Sequence, residues 1–360
     1  MAMRILICSY HFYPRIGGIE TAGMTLASAL AERGYDITVV TTTEAMDQDS
    51  ESFPLSIVRK PSAPELLRLF QAADLVWHNH VSLRLLWPIL FVRRPLVFVH
   101  HCPLATDASE TNTGLLVRFG ALKRAACMLG HNAFVSEAFR KAAGLPGPVI
   151  YNTYDEVNFH AWPDVMRDRD VVFLGRLERQ KGADLLIDAL ALLLARGTRL
   201  RATIIGSGSQ DKSLKAQVSA HGLGDLVEFT GALRGKALSR TLARHRVMAM
   251  PSRWFEGLGI SAIEALACGC VVVGSDCGGL PEAIGPAGVV TAQESAPELA
   301  AAMERLITDT TLYESYKARI PQQLTLFSKV TLMDHCERLI REAAGRVVSR
   351  QAVSSVRSDP

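Results

Sequence analysis

The sequence predicts an α/β protein of two Rossmann-like, doubly wound halves facing a central cleft. Three observations predict it. Short β-branched runs alternate with runs of helical apolar spacing, the alternation breaks near residue 165 and restarts, and several strand ends run into glycine-bearing loops. Strands separated by helices imply right-handed crossovers and a parallel sheet.

The elements follow in order. Residues 4–9 read as a strand, and 21–33 as a helix that stops at Gly34, a natural C-cap. Residues 36–41, 75–78, 96–100, 132–136 and 148–151 supply further strands. Residues 158–169, with Trp162, Pro163 and mixed charge, read as a linker. Strands then recur at 170–175, 201–206, 226–230, 247–250 and 271–275, with helices at 183–195, 261–267 and 297–307. A last helix over 331–344 ends at Gly345, and residues 347–360 read as a disordered tail. The expected domains are therefore residues 1–165 and 166–328, a closing helix over 329–346, and the tail. Ligands of open parallel sheets bind outside the carboxyl ends of the strands, so two such halves facing each other make a deep cleft.

Composition narrows the function. The 360 residues carry a formal net charge of +3, with no strongly basic domain, which argues against a nucleic-acid partner. The seven cysteines, including the Cys268-x-Cys270 pair, form no framework and no metal-ligand spacing, so they read as buried thiols of a reducing cytosol. The first residues lack the apolar core of a signal peptide. Residues 85–99 are the most hydrophobic stretch, but Arg93 and Arg94 interrupt it well short of the roughly 20 apolar residues of a membrane span. The expected location is cytoplasmic.

Five motifs carry candidate chemistry. The paired glycines Gly17-Gly18, between the first strand and first helix, let backbone amides approach a phosphate at a helix N-terminus; a plain tight turn explains them equally. Arg176 and Lys181, in the loop Gly175-Arg-Leu-Glu-Arg-Gln-Lys-Gly182, would set two cations beside a diphosphate as it leaves. Gly206-Ser207-Gly208 ends another strand and fits a close approach to a nucleoside or an ordinary loop. The most specific motif runs from Pro251 to Gly269. Its carboxylates Glu256 and Glu264 flank Gly257-Leu258-Gly259 at the start of a helix, where free amides favour an anion. There Glu256 can reach sugar hydroxyls and Glu264 ribose hydroxyls. Last, His100-His101 ends a strand of the first half and could contact donor or acceptor. Asp168-Arg169-Asp170 resembles a metal-binding pair, but no other oxygen ligands accompany it, so neither metal nor cofactor is expected.

These residues resemble the retaining glycosyltransferases of family 4, which have the GT-B fold, over nearly the whole length. The Gly17-Gly18 loop looks like the family's diphosphate loop, and residues 95–101 like its strand ending in a histidine, which by spacing is His101, with His100 as the alternative. Val135-Ser136 and Asn152-Thr-Tyr-Asp155 are similar to two further segments, with Thr153 in place of the usual Gly. Pro103 stands where the family has an Asp. Arg176 and Lys181 match the phosphate-binding cations, and Glu256 and Glu264 the two-glutamate motif. Phe327-Ser328 resembles the segment before a last helix that crosses back to the first domain. The resemblance implies that a UDP- or GDP-sugar binds mainly to the second half and a lipid-linked or oligosaccharide acceptor mainly to the first. It also implies hexosyl transfer with retention and without a metal, in polysaccharide, lipopolysaccharide or glycolipid assembly. His101, Arg176, Lys181 and Glu256 take the catalytic roles. Gly17, Gly18, Gly206, Gly208, Gly257, Leu258, Gly259 and Glu264 bind substrate.

Residues 114–128 are apolar but carry Arg118, Lys123 and Arg124, and between residues 84 and 141 eight Lys/Arg face three acids. A basic amphipathic helix in peripheral contact with the inner face of an anionic membrane fits this bias; so does a core-packed helix with a solvated face. Two rival functions remain open: a nucleotide-sugar epimerase of the same architecture, and a non-catalytic nucleotide-sugar-binding module. A dinucleotide oxidoreductase is disfavoured, because neither half has GxGxxG.

Overall fold

Strands that are apolar on both faces are stable only where helices cover a parallel sheet from both sides. Both sheets of this protein are of that kind. The computed structural model describes residues 2–14, 18–45, 55–101 and 114–355. The chain groups into two units, Met1–Thr153 with Lys329–Pro360, and Tyr154–Ser328. The division therefore falls at Tyr154, ahead of the linker expected near 165, because residues 154–168 already pack on the second unit: Trp162 Nε1 donates to Ser239 Oγ (2.7 Å) and Arg240 pairs with Asp164 (2.8 Å).

The first unit runs β1 (Arg4–Ser9), α1 (Gly18–Glu32), β2 (Asp36–Thr41), β3 (Ser56–Arg59), α2 (Ala63–Ala72), β4 (Leu75–Asn79), α3 (Leu83–Leu86), β5 (Leu96–His100), α4 (Gly114–Cys127), β6 (His131–Phe134) and α5 (Glu137–Ala143). Its six parallel strands have the order β3-β2-β1-β4-β5-β6. Alternate residues feed opposite faces, as a strand's period of two requires. Ile5, Ile7, Trp77, Val97 and Val99 pack on one side with Leu26 and Leu30 of α1; Leu6, Cys8, Val76 and Phe98 pack on the other with Leu66 and Phe70 of α2. The strand expected at 148–151 reduces to one bridge, Phe134 to Val149.

The second unit runs β7 (Arg169–Leu174), α6 (Ala183–Ala195), β8 (Ala202–Ile205), α7 (Asp211–Ala220), β9 (Val227–Gly231), α8 (Gly235–Ala243), β10 (His245–Met250), α9 (Ile260–Ala267), β11 (Val271–Ser275), α10 (Leu280–Ile284), β12 (Gly288–Thr291), α11 (Ala296–Thr308), α12 (Thr310–Lys317) and α13 (Ile320–Thr325). Its parallel order, β12-β11-β10-β7-β8-β9, repeats that of the first sheet. In both sheets the order reverses between the first and fourth strands, β1/β4 and β7/β10, and that reversal is where ligands of such sheets bind.

The closing helix α14 spans Lys329–Ser355 and belongs to the first unit, where Leu332, Met333, Cys336, Leu339 and Ile340 join the core beneath α1. It does not stop at Gly345. A glycine inside a helix costs only about 1 kcal/mol, and no proline follows before Pro360. The expected tail is thus helical to Ser355, and residues 356–360 lie outside the described residues. On α4, Lys123 is buried, and Arg124 donates to the carbonyls of Ala143 (2.5 Å) and Gly144 (2.9 Å). Among the described residues no helix is long and apolar enough to cross a membrane. Cys8, Cys127, Cys268, Cys270, Cys277 and Cys336 are buried free thiols.

Candidate active site

The site is built where β7 and β10, neighbours in the second sheet, release their carboxyl ends. After β7 the chain passes Arg176 and makes a 3-10 turn, Arg179–Lys181, before Gly182 opens α6. Gly182 has φ +74°, and a Cβ there would lie 2.0 Å from the Pro251 carbonyl oxygen. Only glycine lets the β7 loop lie this close to the β10 loop.

That contact sets Lys181 against Glu256. Lys181 Nζ donates to Glu256 Oε1 at 2.6 Å, and Ser252 Oγ donates to the same oxygen at 2.7 Å. Ser252 is itself buried and bonded, because Ser275 Oγ donates to its carbonyl (2.6 Å). The Glu256 backbone is held too, its carbonyl accepting from Gly279 N at 2.8 Å. Gly257, Leu258 and Gly259 then turn the chain into α9, with Leu258 buried. Arg176, by contrast, is exposed, and its guanidinium makes no hydrogen bond or ion pair among the described residues. It is an exposed cation on the same loop as Lys181.

Arg253 locks the two loops. Its guanidinium grips the Asp184 carboxylate with two bonds, 2.7 and 2.8 Å, and donates to Arg179 O at 2.9 Å. Its backbone N–H donates to Gln180 O at 2.8 Å. The first two residues of the Lys181 turn are thereby tied to the β10 loop. Nothing in the sequence pairs positions 184 and 253, which only the sheet brings together.

Glu264 lies on α9. Burial holds its carboxyl in the protonated form and raises its pKa to about 8, and the nearby charge of Asp155 pushes the same way. Asp155 is fixed by accepting from the backbone of Val157 and Asn158, both at 3.1 Å.

Gly206 and Gly208 brace the loops. A Cβ on Gly206 would meet Gly175 O at 1.9 Å, and one on Gly208 would meet Leu177 O at 2.4 Å. Leu177 N also donates to Ser207 O at 2.9 Å, and Ser209 Oγ to Glu178 at 2.6 Å. These glycines stack the β8 loop beneath the β7 loop.

In the first unit Gly18 is the first residue of α1, and Gly17 lies outside the described residues. The two histidines part company because successive strand residues face opposite sides. His100 turns into the core, stacked on Phe134 (centroids 4.9 Å apart), with Nε2 on Asn132 Oδ1 at 2.9 Å, and so is not a ligand-facing alternative. His101, also buried, joins a neutral network. Asn79 Nδ2 donates to Ser9 Oγ (3.3 Å) and Ile19 O (3.2 Å), which leaves Asn79 Oδ1 to accept from His101 Nε2 at 2.7 Å. His101 Nδ1 is then the acceptor for Asn152 Nδ2, in a long 3.4 Å contact. Burial lowers the His101 pKa to about 3, so the ring stays uncharged.

The structure therefore joins Lys181 and Glu256 directly and sets Arg176 on the same loop as Lys181. It gives Gly206 and Gly208 a bracing place, and it puts His101 in the other unit. Ser252, Arg253 and Asp184 complete the frame without having been anticipated. Among the described residues no three His, Cys, Asp or Glu are grouped to hold a metal; Asp168 and Asp170 are engaged instead by Arg244 (2.6 Å) and the Arg201 amide (2.7 Å).

Comparison with known proteins gives the site its context. Two family models match the chain: Glycosyl transferases group 1 over residues 156–323, and Glycosyltransferase Family 4 over residues 16–157. The chain is 28% identical over 348 residues to the GDP-mannose-dependent alpha-(1-6)-phosphatidylinositol monomannoside mannosyltransferase of Mycobacterium tuberculosis, a match over 85% of this chain and 89% of that protein. It is also 28% identical to alpha-D-kanosaminyltransferase of Streptomyces kanamyceticus, but spans only about half of that relative, 54% of each chain. Among solved structures, Anabaena Alr3699/HepE in complex with UDP and glucose superposes with a TM-score of 0.77 at 23% identity, covering 94% of this chain and 100% of that one. At that identity the likeness shows the fold alone.

Proposed function

We propose, from the premise that the chain belongs to the family 4, group 1 type of glycosyltransferases, that it moves a hexose from a UDP- or GDP-sugar to a glycolipid or polysaccharide-precursor acceptor with retention of configuration. The observation that carries the reading is the Lys181–Glu256 pair, 2.6 Å apart at the reversal point of the second sheet. A cation and a carboxylate held there by buried partners suit the two ends of an activated sugar. Arg176 and Lys181 neutralise the diphosphate as its charge grows, a contribution that acts chiefly in the transition state. Glu256, with the amides of Leu258 and Gly259 at the start of α9, orients the sugar. Glu264 takes the ribose hydroxyls.

In the reaction, the bond from the anomeric carbon to the diphosphate oxygen breaks and the acceptor oxygen bonds to the same face of that carbon. The acceptor proton passes to an oxygen of the departing nucleoside diphosphate. His101, neutral and donating to Asn79, serves on the acceptor side by position and not by charge. The mannosyltransferase relative, named for a GDP-mannose donor and a phosphatidylinositol mannoside acceptor, supports a hexose donor and a lipid acceptor.

A thermal-shift screen of UDP-, GDP- and ADP-sugars tests this, since a donor that binds the native state raises Tm with log concentration. Product analysis follows. Transfer to a lipid acceptor is expected; conversion of the donor to another nucleotide-sugar without acceptor, or no shift by any donor, contradicts the reading.

A further inference from the structure

The four tryptophans of the chain are used very differently. Trp77 is sealed in the core of the first unit. Trp87 packs edge-on against Phe91, with ring centroids 6.0 Å apart. Trp162 lies beneath Arg240 (4.9 Å) and Lys236 (5.4 Å), and its N–H is bonded to Ser239. Trp254 is 57% exposed, and among the described residues its indole makes no ring contact and its N–H no hydrogen bond. A bare indole, apolar in body and with a polar N–H, suits a contact that is dry on its face and wet at its rim.

The loop holds that ring outward. Arg253 N donates to Gln180 O (2.8 Å), Trp254 O accepts from Cys277 Sγ (2.7 Å), and Glu256 O accepts from Gly279 N (2.8 Å). Gly278, at φ +59°, passes so close that a Cβ there would lie 2.3 Å from Glu256 O. With the backbone tied on both sides, the segment has no freedom to fold Trp254 inward, and Phe255 beside it is exposed as well. Two peptide units separate Trp254 from Glu256, so their Cα atoms are at most about 7.6 Å apart. The indole therefore stands within the length of a disaccharide from the Glu256 carboxylate.

We infer that Trp254 is the acceptor platform: its indole face stacks on a pyranose ring that carries the attacking hydroxyl. The inference rests on the transferase reading above, in which Glu256 orients the donor hexose. The Glu256 carboxylate is turned back onto Lys181 and Ser252, so the donor lies on that side and a ring arriving from solvent meets the indole. One face of a pyranose presents a patch of C–H groups, which packs on the electron-rich face of an aromatic ring, while the hydroxyls around its edge stay in water. The acceptor class is accordingly a glycoside ending in a hexopyranose, and not an alcohol without a sugar ring.

Fluorescence titration with the methyl glycosides of glucose, galactose and mannose, in the presence of UDP or of GDP, tests this, with 1-hexanol as the ringless control. At least one glycoside is expected to quench and blue-shift the emission, hexanol is not, and Trp254→Phe should abolish the change. In transfer to octyl glycosides, Trp254→Ala should raise the acceptor KM about tenfold and Trp254→Phe about threefold, the effect falling on KM and not on kcat. The wild-type Tm and nucleotide-sugar shift should persist in both variants. A wild-type protein that no nucleotide-sugar stabilises sinks the transferase reading; a normal shift with no quench by any glycoside sinks only the platform. A quench that survives Trp254→Phe, quenching by hexanol, an unchanged acceptor KM in Trp254→Ala, or a rise in the donor KM instead, each overturns the inference.

Discussion

The two sheets share one strand order, yet the loops at their carboxyl ends are wired in opposite ways. The second sheet's loops are held by charge: Arg253 on Asp184 and Lys181 on Glu256, braced by glycines whose backbones touch. The first sheet's network is neutral, Ser9–Asn79–His101–Asn152, with the imidazole kept uncharged by burial. A rigid charged frame can stabilise charge that develops during reaction without reorganising. A buried neutral network instead secures one conformation and does little to an ionic transition state. On the proposed function, the same scaffold assigns rate to one edge and shape to the other.

The largest expected effect tests the charged edge. Lys181→Ala and Glu256→Ala should each lower kcat by about 10²–10³ while Tm stays near that of the wild type. Their effects should fall short of adding in the double variant, because the two groups touch. Near-normal rates in both single variants would reduce the pair to a structural salt bridge and erase the contrast.

The neutral edge should answer in stability. Asn79→Ala strands the buried His101 Nε2–H, and an unsatisfied buried donor costs about 1–3 kcal/mol. Chemical denaturation should show that loss, with the thermal shift by the nucleotide-sugar unchanged. A variant as stable as the wild type, or one that has lost donor binding, would contradict the division of labour.

How much of this was readable in the sequence follows from range. Runs such as Val171-Val-Phe-Leu174 and Val271-Val-Val273 announce buried parallel strands by themselves. β3 and β12 escape notice because they are four-residue edge strands, partly exposed and without a strong apolar run. The Glu256 and Glu264 spacing is legible because loop and helix are contiguous. The Arg253–Asp184 lock is not, since 69 positions separate the partners and only the β7–β10 pairing closes the gap. The choice between His100 and His101 turns on which side of the sheet each residue meets at the end of β5, which neighbouring strands decide.

The last prediction concerns Glu264 and sharpens the charged edge by proton linkage. Its carboxyl titrates near 8 in the folded protein against an ordinary value of 4.5. Between those values the unfolded chain has lost the proton that the native state keeps. Glu264 therefore adds stability at low pH that is fully present below 4.5 and gone above about 8, so Tm should fall as pH rises through that window. Nucleoside binding should run the other way. Ribose hydroxyls donate to a carboxylate, and with a pKa near 8 only about a tenth of the protein is ionised at about pH 7, so affinity should rise up to about tenfold by about pH 9. Calorimetric titration with nucleoside diphosphate across that range reads the slope directly, and Glu264→Gln should flatten both trends. A binding slope that survives Glu264→Gln would place the titrating group elsewhere, and with it the ribose.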